Sequence, residues 1–297
     1  MHLSGKALAT SEGKYHMPYG LILFGIFFAF AGAEALRSAF FSQASEKPED
    51  KWVEIISGIF LLAATQPAVL IASTYVSGWI APNTAGALAD APVWAGVLLF
   101  LVFDDLMQYW WHRASHTFPW LYGLHRSHHN AEYMSIRIVY RNNILYYAFM
   151  PSLWFAGALI YLGLGHIYAV YIIFKLLVIY GAHSNVCWDK KLYAIKWLSP
   201  VMWVVERTIS TPSTHFAHHG KFSADPATNY KGNFGNLLFF WDVLFGTAKI
   251  TRTYPEEFGV ENLAPMSAGA QLLWPLMRDE TTPFEETKPL EATAAAE

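Results

Sequence analysis

Cysteine is almost absent from this sequence: Cys187 is the single one in 297 residues. No disulfide can form within the chain, and no multi-thiolate zinc or iron–sulfur site can be built from it. Charge is scarce as well. Asp, Glu, Lys and Arg make up 14% of the residues, against roughly a quarter in a soluble domain. From Trp52 through His112 there is no lysine or arginine. A net charge of −3 argues against a nucleic-acid partner. No glycine-rich dinucleotide fingerprint is present, so flavin, haem and nicotinamide are not expected as bound cofactors. Met1 to Tyr19 is polar and lacks the apolar core of a cleaved signal peptide.

What the chain has instead is apolar length. Hydrophobic residues reach 54% and gather in five runs, at about 19–41, 53–80, 92–112, 143–165 and 166–183. About 20 residues cross a bilayer, so the expected fold is an all-α integral membrane protein with four to five transmembrane helices. Glu34 and Arg37 interrupt the end of the first run, Pro67 lies in the middle of the second and predicts a kink, and Gly163 and Gly165 leave only a tight hairpin between the last two. Arg113, Arg126, Arg137, Arg141, Lys190, Lys191 and Lys196 all lie on one side of these runs, which places that side in the cytoplasm and the 81–92 loop outside. The N-terminus is then outside, or the first run is re-entrant. The expected organisation is a single membrane domain over 1–297. Residues 112–142 and 184–260 form a cytoplasmic cap of helix ends and short helices, and a disordered tail follows from about 281 to 297. Within the cap, Trp197–Ile209 reads as an interfacial helix. Thr211 is expected to cap a two-turn helix with Pro212 at its first position and Gly220 at its end.

Eight of the twelve histidines fall in three boxes: His112 and His116; His125, His128 and His129; His215, His218 and His219. At about 100° per residue, the first pair lies about 40° apart on a helix, and each H-x-x-H-H trio lies within an arc of about 100°. Imidazole is the commonest nitrogen ligand of zinc, copper, iron and nickel. With His183, at the cytoplasmic end of the last run, there are nine candidate ligands. A zinc-type site takes four protein ligands or fewer, so nine suit two ions. An all-nitrogen pair of sites with room for exogenous ligands suits iron and dioxygen chemistry, although zinc can occupy such a site. Asp105 falls about 20° from His112 on the helix and is expected to orient an imidazole; Glu132 and Asp242 could do the same from loops, and Asn185 is a further polar candidate. His2, His16 and His166 are assigned no role. Lys175 sits mid-run and needs a partner. It lies eight residues before His183, as Asp104 lies eight before His112, so both sit about 12 Å from their histidine. An Asp104–Lys175 ion pair between the third and fifth runs is expected.

The residues around the boxes resemble the fatty acid hydroxylase / sterol desaturase superfamily. Asp105 through His112 is similar to its D-x-x-Y-Y-W-x-H lead-in, with Gln108 in place of the first tyrosine. His128-His129-Asn130-Ala131-Glu132 with Arg141, then Thr211-Pro212-Ser213-Thr214-His215, Asn229-Tyr230 and Trp241 through Thr247 resemble its later signatures over about residues 100–250. Lys231 to Gly235 looks like a small insertion. The resemblance implies a membrane-bound di-iron monooxygenase that hydroxylates a C–H bond of a membrane lipid with dioxygen. Two electrons per turnover must come from an external donor, a ferredoxin, cytochrome or reductase, and cytoplasmic lysines and arginines could dock it. Desaturation by the same site is the second reading. A membrane metal transporter or sensor is the third, disfavoured because the histidines gather at one edge and not at the midplane.

Overall fold

The computed structural model describes residues 19–37 and 39–279; His2, His16 and the expected tail from 281 lie outside them. Three helices are long and apolar enough to cross a membrane: α2 (Asp50–Ile80), α3 (Val93–Thr117) and the pair within Pro151–His183. A shorter apolar helix, α1 (Tyr19–Ala35), precedes them. Their outer faces expose Phe24, Ile59, Ile71, Trp79, Trp94 and Phe174, the reverse of a soluble surface and what contact with lipid requires. The chain is an integral membrane protein of helices and turns, with one isolated antiparallel bridge, Gly220 to Phe258, among the described residues.

Local chemistry explains where the helices depart from regularity. Pro67 has no N–H, and its ring excludes the carbonyl of Ala63 from the helical ladder. Ahead of it the helix forms a π-turn over Leu61–Thr65, in which the Gln66 N–H reaches back five residues to Leu61 O. A second π-turn, Leu101–Leu106, carries Asp104 and Asp105 in the middle of α3. This helix runs past the expected end at 112 and carries both histidines of the first box. Phe118 then turns extended ahead of Pro119, which opens α4 (Pro119–His129) with the second box in its last two turns.

Two boundaries differ from expectation. The first run ends at Ala35 and not near 41, because Glu34 is drawn inward: its carboxylate accepts from Ser135 Oγ at 2.6 Å, Ser184 Oγ at 2.8 Å and the N–H groups of Ile136 and Asn185. The fourth run begins as helix only at Pro151, in α5 (Pro151–Leu159). Residues 143–150 are turns. Asn143 Oδ1 accepts the Leu145 N–H at 2.9 Å, and its amide nitrogen reaches Trp274 O at 2.8 Å. The expected hairpin is present. Gly163, at φ 104, reverses the chain between α5 and α6 (Gly165–His183), where a side chain would be strained. Gly86 and Leu88 of the 81–92 loop donate to Tyr161 O and Leu162 O there, so α5 leads away from the boxes and α6 returns to them.

Phe100, Leu164, Ile167 and Tyr171 form the core where α3 meets α6. Within it the expected ion pair exists: Lys175 Nζ bonds Asp104 Oδ2, which also accepts the Tyr171 hydroxyl at 2.8 Å. Beyond His183 follow α7 (Trp188–Tyr193), α8 (Ser199–Thr208), α9 (Pro212–His219), α10 (Phe240–Phe245) and α11 (Ala268–Leu273). α8 exposes Val201, Trp203 and Val204, as an interfacial helix should. α9 has the expected cap: Thr211 and Thr214 close a capping box around Pro212, and Gly220 ends the helix.

Candidate metal centre

Nine imidazoles meet where α3, α4, α6 and α9 converge. They divide into two groups whose ligand nitrogens lie within 4.8 Å of one another: His112, His116, His125, His129 and His218; and His128, His183, His215 and His219. The division follows from helix geometry. In H-x-x-H-H the first and last residues are four apart and fall about 40° from each other, while the middle one falls about 60° to the other side. His125 and His129 therefore join one group and His128 the other. α9 does the reverse, giving His215 and His219 to the second group and His218 to the first. The His129 and His219 rings stack across the boundary at 4.4 Å.

The donor nitrogens are held closer than unliganded imidazoles would choose. His112 Nδ1 lies 2.7 Å from Phe234 O and His218 Nδ1 lies 2.7 Å from Gly232 O. A carbonyl oxygen only accepts, so both Nδ1 atoms carry hydrogen and both Nε2 atoms are bare in the neutral rings. Yet these two Nε2 atoms face each other at 2.9 Å. In the second group His183 Nδ1 is bonded to Ile179 O at 2.8 Å, so its Nε2 is bare, and it lies 2.9 Å from His215 Nε2; His215 Nδ1 is buried without a partner. Lone pairs directed at one another repel unless a cation stands between them. Burial, reinforced by the neighbouring rings, lowers the pKa of His128, His129, His215, His218 and His219, so they are neutral, as a metal ligand must be. At about 2.0–2.1 Å per metal–nitrogen bond, adjacent ligand atoms come about 3 Å apart, and the observed 2.9–3.2 Å separations match. Each group therefore fits a metal ion.

Backbone carbonyls, and not carboxylates, orient four of the nine rings. His128 Nδ1 is bonded to Ile138 O at 3.0 Å, and the one side-chain partner is Asn142, whose Oδ1 lies 3.0 Å from His125 Nδ1. Asp105 is buried on the expected face, but it touches no imidazole. It accepts from the Leu237 and Leu238 N–H groups and from Trp241 Nε1 at 2.8 Å. Asp242 also acts at one remove, binding the N–H groups of Phe234 at 2.8 Å and Gly235 at 2.6 Å. The two carboxylates thus clamp residues 232–241, the stretch whose carbonyls hold His112 and His218. Its start, which looks like an insertion in the sequence, is part of the site. Glu132 is half-exposed and paired with Lys47 at 3.2 Å, away from the rings. Asn185 contributes only its backbone, to Glu34 and Arg37.

Asp189, which no motif in the sequence marks, accepts the Ser213 N–H at 2.8 Å at the start of α9. Arg141, part of the resembling motif, ties Ser127 O of α4 to Gln271 of α11, each at 2.8 Å. Asp242→Ala, which frees two N–H groups beside Phe234, is expected to weaken metal binding about 10- to 100-fold. A metal titration of the purified variant checks this, and unchanged affinity would make Asp242 a local turn residue only.

Residues 97–247, just over half of the chain, match the model of the fatty acid hydroxylase family. Among curated proteins, the chain is similar to alkylglycerol monooxygenases. It is 32% identical to the one from Danio rerio over 155 residues, covering 52% of this chain and 30% of that protein. It is 30% identical to the one from Homo sapiens over 158 residues, covering 53% and 31%. The chain spans about a third of the length of the curated relatives it matches. No solved structure matches it.

Proposed function

The chain belongs to the fatty acid hydroxylase family, and we propose that it hydroxylates a C–H bond of a membrane lipid, with two iron ions held by its nine clustered histidines. The observation that carries this reading is the pair of facing, bare nitrogens His112 Nε2 and His218 Nε2 at 2.9 Å. Iron bound by imidazole supplies the capacity to activate dioxygen and attack an unactivated C–H bond. The histidines hold, Asn142 and the carbonyls of Phe234, Gly232, Ile138 and Ile179 orient, and the surrounding helices exclude water.

The balance per turnover is a C–H bond, one dioxygen, two electrons and two protons giving a C–OH group and water. The residues of this chain offer no redox group for the electrons, so an external ferredoxin, cytochrome or reductase is required. Lys190, Lys191 and Lys196, exposed on the cap, give an acidic donor a place to dock. His116 is the one half-buried member of the centre and marks its most open edge. We place the cap in the cytoplasm on the lysine and arginine bias. The relatives are named monooxygenases of alkylglycerols, which favours hydroxylation over desaturation and an alkyl lipid as substrate. The gathering of ligands at one end of the helices disfavours a transporter. Reconstituted protein with an electron donor should consume dioxygen and yield a lipid heavier by one oxygen atom by mass spectrometry. Turnover under strict anaerobiosis would refute the reading.

A further inference from the structure

The centre has a polar neighbour with nothing to bind. Gln108 lies four residues before His112 within the regular α-helical stretch Met107–Thr117. It is therefore about 6 Å further into the membrane and about 40° around the helix from that ligand. Its Oε1 is buried and has no hydrogen-bond partner. An amide oxygen left unsatisfied at membrane depth is costly, and this one occupies the position where the lead-in motif has tyrosine. A second orphan lies on the neighbouring helix. Ser152 Oγ, in the first turn of α5, is also buried without a partner. The two elements are in contact here: Trp111, three residues after Gln108, packs in one cluster with Met150 and Leu153 on either side of Ser152.

We propose that Gln108 and Ser152 form a subsite, one helical turn above the metal ligands, that binds the hydroxyl groups of a neutral lipid headgroup. An amide and a hydroxyl each offer both donor and acceptor character, the complement of an alcohol. An anionic headgroup would call for a cation; Lys175 of α6 is engaged by Asp104, and Arg113 of α3 donates to the Tyr109 hydroxyl at 3.2 Å. Placed there, a hydroxylated headgroup sets the adjoining carbons of the alkyl chain beside His112. Substrates are then lipids whose oxidised carbon lies within a few bonds of a free hydroxyl. The inference rests on the hydroxylase reading for the identity of the ligand, but its test does not depend on turnover.

The test is equilibrium binding of a radiolabelled hexadecyl glyceryl ether to the purified full chain in phosphatidylcholine nanodiscs, without electron donor. The same measurement is made with the ether's di-O-methyl derivative and with hexadecyl phosphate. The wild-type protein is expected to bind the diol about tenfold more tightly than the dimethyl derivative, the scale of one or two hydrogen bonds to otherwise unsatisfied groups. Gln108→Leu should reduce that preference to about threefold or less, and Ser152→Ala, a second and milder variant, should reduce it as well. Equal binding of diol and dimethyl ether by the wild type would overturn the proposal, as would a preference unchanged in both variants or tighter binding of hexadecyl phosphate. Failure of the hydroxylase reading would appear separately: no oxidation of any lipid under dioxygen and reductant, with the binding preference intact.

Discussion

His128→Ala is expected to lower lipid oxidation by more than about a hundredfold while the protein stays folded in the membrane. That figure is the upper end of what disturbing a ligand's outer partner costs, and here the ligand itself is lost. His128 belongs to the four-membered group, so three imidazoles remain where four stood. His218→Ala should act on the other group with similar severity, since it removes the nitrogen facing His112 at 2.9 Å. Stability should suffer less than function, because truncation in each case relieves crowding of bare nitrogens as well as removing packing. His166→Ala is the control. His166 lies at the start of α6, beside the reversal at Gly163 and far along the helix from His183, and its loss should leave activity unchanged. Oxidised lipid and membrane-inserted protein are measured together for the three variants. Full activity in His128→Ala would remove the second group from the mechanism.

Lys175→Met is expected to destabilise the protein by about 3–5 kcal/mol, the range for stranding one member of a buried ion pair. Asp104 is almost wholly buried at 3% exposure, so its uncompensated charge has no water to turn to. Removing both charges, Lys175→Met with Asp104→Leu, should recover much of that loss. Recovery is incomplete in this site because the Tyr171 hydroxyl, bonded to Asp104 at 2.8 Å, is left without an acceptor, costing about 1–3 kcal/mol. Adding Tyr171→Phe removes that remaining penalty. Folded fraction against temperature in one detergent, compared across the wild type and the three variants, decides the matter. A double variant no more stable than Lys175→Met would mean that the pair is not an isolated electrostatic unit.

The features legible in the sequence were those that depend on spacing along one helix. The two-group division uses only the 40° and 60° offsets already present in H-x-x-H-H. The Asp104–Lys175 pair followed from equal distances to His112 and His183, although a π-turn intervenes in α3. The cap at Thr211 followed from residue identity; its closure into a capping box by Thr214 did not. What could not be read is what arrives from elsewhere. Asp105 was placed on the right face, but its occupant is the Leu237–Trp241 segment, which comes from far along the chain, and not an imidazole. The carbonyls of Phe234 and Gly232 that orient the rings are backbone atoms, which no side-chain pattern announces. Glu34 and Asn143 pull their segments out of helix through tertiary hydrogen bonds, overriding the hydropathy that set the expected boundaries.

We propose that the nine histidines hold two metal ions, iron in the active form. This is tested most directly by elemental analysis of the purified full chain, with lipid-oxidising activity measured on the same sample. Two metal ions per chain are expected, with activity rising in proportion to iron content. One ion or none per chain in a folded, fully active sample would contradict it.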